Sequence, residues 1–330
     1  MGMTAADREP HHSSSFLARE AHLLAFERQR SRRAGAPAAS APSDPLILVP
    51  GARVAEHYEV GPIIGAGPLG IVYKARHVEL GQLVALKVIR PDVAADGLAW
   101  RRFSKDVRAL AALHNKHVVR VHDAGTLGSG LRYLVMELLK GYTLRSLLDN
   151  GPVPAPQAVD IAIQVCSALA DAHRANIIHR DLRPENIFLA RYRATELTVK
   201  LLDFGMALFL DDSANCTVTR RTKAAPDYLS PEQLRDPRAV DARSDLWAVG
   251  LLLYELLAGR PPFAGMNTLQ TCLQIAGGTL PRIETLSPSI PAGLAWVIHR
   301  CLEVDASRRP PSADQLSLAL EPFSSRHAAA

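Results

Sequence analysis

Cysteine is scarce. The chain has four in 330 residues, Cys166, Cys216, Cys272 and Cys301, and no two stand close enough to form a CxxC pair. That spacing excludes a disulfide scaffold and argues against a zinc site. Aromatic residues are also few, at 5%, and none interleave with a basic stripe. A nucleic-acid partner is therefore not expected despite the net charge of +5. No stretch approaches the ~18 uninterrupted apolar residues of a membrane span. The most apolar one, Leu246 to Ala258, is shorter and contains Glu255. The N-terminus has Asp7 and Glu9 where a secretory signal would be basic, so a cytoplasmic, reducing location is expected. Lysine is the rarer cation: 7 of the 38 basic residues are Lys and 31 are Arg, an imbalance read here as compositional bias. No internal repeat is visible.

What remains is ordinary globular composition, 48% hydrophobic and 22% charged. Residues 1–52 stand apart, because Ala, Pro, Ser and Gly fill 25 of these 52 positions. Such a segment cannot bury enough surface to offset ordering entropy and is expected to be a disordered extension. Within it Phe16, Leu17, Leu23, Leu24 and Phe26 recur at helical spacing before Arg28, Arg30, Arg32 and Arg33. This reads either as an amphipathic partner- or membrane-binding helix or as a transient helix in a loose leader. From 53 to 139 short β-branched and aromatic runs (Gly70–Ala75, Leu83–Ile89, Val118–His122, Tyr133–Met136) predict strands, with one helix over Leu98–Leu113. From 140 to 322 the pattern is mainly helical, as in Ala158–His173 and Asp245–Leu257. Strands first and helices later predict an α+β molecule in two lobes, with 323–330 as a short tail.

Four motifs carry chemistry. Gly65-Ala66-Gly67-Pro68-Leu69-Gly70 lies between two predicted strands, which favours a phosphate-covering flap over a dinucleotide turn, since the latter would lead into a helix. Val84-Ala85-Leu86-Lys87 places a cation seventeen residues beyond the third glycine. His179-Arg180-Asp181-Leu182-Arg183-Pro184-Glu185-Asn186 sits between apolar runs, with Asp181 able to receive a hydroxyl proton and Asn186 able to ligate a metal. Asp203-Phe204-Gly205 follows the predicted strand Leu197–Leu202, and a carboxylate there suits a hard cation such as Mg²⁺.

In this order the motifs resemble the eukaryotic-like (Hanks-type) protein kinases, particularly the bacterial Ser/Thr group, from about Tyr58 to Pro322. Later segments agree: Tyr228-Leu229-Ser230-Pro231-Glu232, Ser244-Asp245-Leu246-Trp247-Ala248-Val249-Gly250, and Asp305-Ala306-Ser307-Arg308-Arg309-Pro310. The resemblance implies a bilobal kinase fold, with a five-stranded antiparallel sheet and one helix above a helical lobe. It implies that Gly65, Ala66, Gly67 and Gly70 cover the phosphates of ATP, and that Val72, Ala85 and Phe188 sandwich the base. Met136 would stand as gatekeeper beside the hinge residues Glu137 and Leu139. Lys87 would hold phosphates, Asp203 and Asn186 would hold Mg²⁺ (with Mn²⁺ as a second candidate), and Asp181 would face a protein hydroxyl. Glu232–Arg309 is implied to be a structural ion pair, and Asp245 to support the catalytic loop.

Four positions depart from the family. Asp106 stands where a glutamate should pair with Lys87. Pro68 removes a backbone N–H at the flap tip. Arg183 replaces a lysine, and a planar guanidinium is expected to be the poorer phosphate ligand. Ala225 stands where a threonine hydroxyl should join Asp181. Thr217 and Thr219 match the paired autophosphorylated threonines of related bacterial kinases and Thr222 is nearby, so all three are candidate phosphosites. The expectation is thus an ATP- and Mg²⁺-dependent Ser/Thr protein kinase of reduced rate. The alternative is a pseudokinase scaffold. Partner binding through residues 1–52 and dimerisation are both left open.

Overall fold

The computed structural model describes residues 47–67, 69–91, 107–193, 196–204, 226–236 and 240–328. Asp106, Pro68, Gly205, Ala225 and the three candidate phosphothreonines lie outside these residues, as does most of the predicted helix 98–113. The described end of that helix, 107–111, is helical, and Val107 and Leu110 are buried as their spacing predicts.

The first lobe is an antiparallel sheet in the order β1-β2-β3-β4-β6-β5. Its strands are β1 (Arg53–Val54), β2 (Tyr58–Gly67), β3 (Gly70–His77), β4 (Leu83–Ile89), β5 (Val121–Thr126) and β6 (Arg132–Glu137). Six strands replace the expected five because Val54 pairs with Tyr58 and Arg53 with Glu59 along the free edge of β2. The packed unit also begins before the expected boundary at 52. Gly51 N–H donates to the Val60 carbonyl, Leu48 N–H donates to the Tyr73 hydroxyl, and Leu48 packs on the sheet. The apolar run Leu46–Val49 is hidden in the average composition of residues 1–52, where Ala, Pro, Ser and Gly dominate.

β4 explains where the site forms. It is buried at every position after Leu83, because both of its faces are covered. By the two-residue period of a strand, Val84, Leu86 and Val88 join one core with Tyr58, Tyr73 and Val135. Ala85 and Ile89 join a second core with Val107, Val119, Leu134 and Met136. Lys87 shares that second face, so its ammonium is delivered to the cleft side of the sheet.

The second lobe opens with a small antiparallel sheet, β7 (Gly141–Thr143), β8 (Ile187–Arg193) and β9 (Glu196–Leu201). Two short helices are used below, α1 (Leu144–Leu148), capped by Thr143, and α3 (Pro231–Arg235), closed by a Ser230–Gln233 capping box. Between them in sequence runs α2 (Ala155–Arg174), which buries Val159, Ala162, Cys166 and Leu169 at helical spacing. α4 (Ala242–Ala258) starts at the Asp241 cap and ends at Gly259, whose φ of 72° terminates the helix. Fourteen of its seventeen residues are buried, so it is apolar on all sides and forms the axis of the lobe. Residues 321–328, which include most of the expected short tail 323–330, form helical turns packed on α2, and Ser325 N–H donates to Asp160.

Candidate active site

The glycine flap separates fold from function. A side chain at Gly70 would bring a Cβ within 2.0 Å of the Val88 carbonyl oxygen, and φ there is +158°. At Gly67 a Cβ would meet nothing within 4 Å, and at Gly65 only Val72 at 3.8 Å. The sheet therefore requires Gly70, whereas Gly65 and Gly67 leave room above the cleft without any packing need. Gly70→Ala is expected to lower stability by about 1–3 kcal/mol through overpacking. Gly67→Ala should leave the melting temperature unchanged while weakening nucleotide binding; calorimetry and nucleotide titration of both variants check this.

Beneath the flap, Lys87 is 5% exposed and its Nζ lies 2.6 Å from Asp203 Oδ1. Asp203 sits just beyond β9 with φ +58°, a left-handed turn that directs its carboxylate back toward the sheet. Val72, Ala85, Met136 and Leu139 share one apolar cluster, so four of the residues assigned to the base are brought together. Phe188 is not in that cluster. It lies on β8, in register with Thr143 and Lys200, and is half-buried.

The loop carrying Asp181 hangs on one buried carboxylate. Asp245, 1% exposed in the first turn of α4, accepts hydrogen bonds from the backbone N–H groups of His179 (2.9 Å) and Arg180 (2.9 Å) and from His173 Nε2 (2.8 Å). Burial works to raise its pKa, but these donors, His173 first, hold it below the ordinary carboxylate range. His179 Nε2 donates to the Leu202 carbonyl at 2.9 Å, which ties the loop to the residue before Asp203. Gln233 of α3 donates to the Arg180 carbonyl, and Arg180 adopts φ +66°. Three elements thus fix one strained turn, and Asp181 follows it.

Asn186 Nδ2 donates to the Asp181 carbonyl (2.8 Å) and to Asp181 Oδ2 (2.9 Å). With its amide nitrogen so used, the Oδ1 of Asn186 is the atom left to face a cation. Leu202 N–H donates to the Asn186 carbonyl, which sets Asn186 and Asp203 side by side. Two hard oxygen donors next to each other suit Mg²⁺. Burial raises the pKa of Asp181, opposed by Arg183, His179 and the Asn186 hydrogen bond.

The hinge holds a clamp that sequence reasoning missed. The Glu137 carboxylate accepts from Lys200 Nζ (2.6 Å), Tyr192 hydroxyl (3.1 Å) and Arg120 N–H (2.8 Å), while Lys200 also donates to the Val118 carbonyl. Lys200 is buried on β9, so this pair joins the end of the upper sheet to the lower β8–β9 hairpin. Lys200→Met is expected to raise the KM for ATP severalfold with little change in kcat, because the hinge backbone shifts while the catalytic loop does not. Initial rates over a range of ATP concentrations check the split.

A lysine–carboxylate pair under a glycine flap and an Asp–Asn pair on a loop anchored to a buried helix define the protein kinase fold. The model of the protein kinase domain family matches residues 58–319. Serine/threonine-protein kinase PknB of Mycobacterium leprae is 40% identical over 226 residues, covering 67% of this chain and 36% of the relative. Serine/threonine-protein kinase pkn2 of Myxococcus xanthus is 38% identical over 261 residues, covering 78% and 31%. A crystal structure of the PknI kinase domain of Mycobacterium tuberculosis superposes with a TM-score of 0.67 at 26% identity, covering 84% of this chain and all of that one. The chain belongs to the protein kinase family, in its bacterial serine/threonine group. It spans about a third of the length of these curated relatives. No helix among the described residues is long and apolar enough to cross a membrane.

Proposed function

We propose that this chain transfers the γ-phosphoryl group of ATP to Ser or Thr hydroxyls of protein substrates in the cytoplasm, as a signalling kinase. The observation that carries the reading is the joint placement of Lys87 against Asp203 and of Asn186 against Asp181. Lys87, from the buried face of β4, holds the α/β-phosphates. The flap backbone at Gly65, Ala66 and Gly67 covers them, and the cluster of Val72, Ala85 and Met136 holds the base, with Phe188 below it. Glu137 and Leu139 supply hinge backbone groups to the base edge. Mg²⁺ (or Mn²⁺), held by Asp203 and Asn186, supplies charge neutralisation to the phosphates.

Asp181 orients the acceptor hydroxyl and receives its proton as the new O–P bond forms and the bond to the departing ADP breaks. Asn186 holds the Asp181 carboxylate in one orientation, so the chain contributes positioning and electrostatics rather than covalent chemistry. The raised pKa of Asp181 has a pH consequence. The carboxylate must be ionised to accept the proton, so kcat/KM should fall as pH drops through a pKa above the ordinary aspartate range. A pH–rate profile checks this; an acid limb at or below that range would contradict it.

Acceptor-dependent ADP release tests the activity itself. With a generic protein acceptor and Mg²⁺, ADP should form above the no-acceptor rate and stop on chelation. Release equal to that of a Lys87→Met variant would instead make the chain a nucleotide-binding scaffold. Phosphorylation of Thr217, Thr219 or Thr222 in trans between two copies, and partner binding through residues 1–52, belong to the same proposal. Mass spectrometry of wild type against Asp181→Asn after incubation with ATP reads the first.

A further inference from the structure

Arg183 is tethered at one nitrogen. Its Nε donates to Glu185 Oε2 at 2.8 Å. Among the described residues its two terminal nitrogens make no hydrogen bond, and its side chain is 22% exposed beside Asp181, whose charge it feels. Glu185 is itself shared, because its other oxygen accepts from Arg145 Nε at 2.9 Å. Arg145, on α1, reaches on to Glu255 with NH1 at 2.6 Å. Glu255 is 1% exposed inside α4, and its second oxygen accepts from the Tyr228 hydroxyl. A continuous polar chain therefore runs from Tyr228 through Glu255, Arg145 and Glu185 to Arg183. It contains two cations and two carboxylates, so its formal charge is balanced.

We infer that Glu185 and Arg145 are positioning residues that hold Arg183 by its Nε and present its two terminal nitrogens to the transferring phosphoryl group. The chemistry favours arginine here. A lysine has a single terminal ammonium and no secondary N–H by which Glu185 could hold it. A guanidinium can spend its secondary N–H on the carboxylate and still offer a planar pair of donors matched to two phosphate oxygens. Burial works to raise the Glu185 carboxyl, but Arg183 and Arg145 outweigh it and hold it ionised below the ordinary range. Tyr228 and Glu255 anchor the far end on the helix axis, so the orientation of Arg183 is fixed by the core of the lobe rather than by the loop alone.

This inference rests on the activity proposed above and is tested by a double-mutant cycle of Glu185→Gln and Arg183→Lys. Glu185 is 41% exposed and glutamine has its shape, so the variant should fold with an unchanged melting temperature. Glu185→Gln should lower kcat roughly 10- to 100-fold, as expected for a misplaced catalytic group, and leave ADP affinity unchanged. In the Arg183→Lys background the same change should alter kcat by less than about twofold, since the tether no longer has a secondary N–H to hold. Equal losses in both backgrounds, or no loss in the first, overturn the inference. Should the wild type transfer no phosphate, the activity reading fails by itself, and calorimetric affinities for ATP and ADP in Mg²⁺ decide the positioning. A preference for ATP that Glu185→Gln abolishes supports it. A wild type that binds both alike, or a preference that survives, overturns it.

Discussion

Asp181→Asn should reduce kcat by about 10²–10⁴-fold, the range for loss of a positioned proton acceptor, with ATP affinity nearly unchanged. The reason is local. Asp181 contributes one oxygen to the Asn186 hydrogen bond, so the other is available to the acceptor hydroxyl. An asparagine at 181 can keep its side-chain oxygen on Asn186 Nδ2, which preserves the loop, but it cannot take up a proton. The anchoring of the turn by Asp245 through His179 and Arg180 is untouched. Steady-state rates with nucleotide titration separate the two effects. A variant that loses ATP binding as well as turnover would show that Asp181 is structural.

The second large effect is on stability. Arg309 is fully buried and grips Glu232 with both terminal nitrogens, at 2.7 and 2.8 Å. It also donates to the Glu303, Arg243 and Val304 carbonyls and lies over the Trp247 ring at 5.1 Å. Arg309→Met fills similar volume but leaves a partly buried carboxylate and three carbonyls without this donor. Breaking one side of a buried pair costs about 3–5 kcal/mol. At ~2–4 °C per kcal/mol for a large domain, the melting temperature should fall by about 6–20 °C.

The pair also fixes a pH dependence. Burial works to raise the Glu232 carboxyl, but Arg309 and the Ser244 hydroxyl outweigh it and hold it below the ordinary glutamate range. A depressed folded pKa stabilises the protein above the unfolded value, and that stability is lost as pH falls through the folded one. Arg309→Met should therefore flatten the acid side of the stability profile. Thermal melts of both proteins from neutral pH downward check it.

Much of this was legible in the sequence. The β-branched run Leu83–Ile89 identified β4, and the two-residue period of a strand puts Lys87 and Ala85 on one face. The spacing of Asp181, Asn186 and Asp203 survived folding as adjacency, because each lies at the end of a short apolar run that pins it. The Glu232–Arg309 pair and the Asp245 anchor were expectations of the family resemblance, and the structure shows both contacts.

What was not legible are charges that find partners far along the chain. Arg145 and Glu255 are 110 positions apart. In sequence one is a cation in a five-residue helix, and the other only interrupts an apolar run. Their meaning depends on which turn of α4 faces α1, a tertiary fact. Lys200 and Glu137, 63 positions apart, are the same case at the hinge. The tether on Arg183 is a nearer case: the sequence places Glu185 two residues on, but only the folded loop brings its carboxylate to the arginine Nε.

The central claim is that these residues form a working phosphoryl-transfer site specific for aliphatic hydroxyls. The most direct measurement is phosphoamino-acid analysis of an acceptor protein incubated with γ-labelled ATP, Mg²⁺ and the purified chain, beside Asp181→Asn. The account predicts label on phosphoserine and phosphothreonine with the wild type and none above background with the variant. Label on tyrosine alone, or equal labelling by the two proteins, would contradict it.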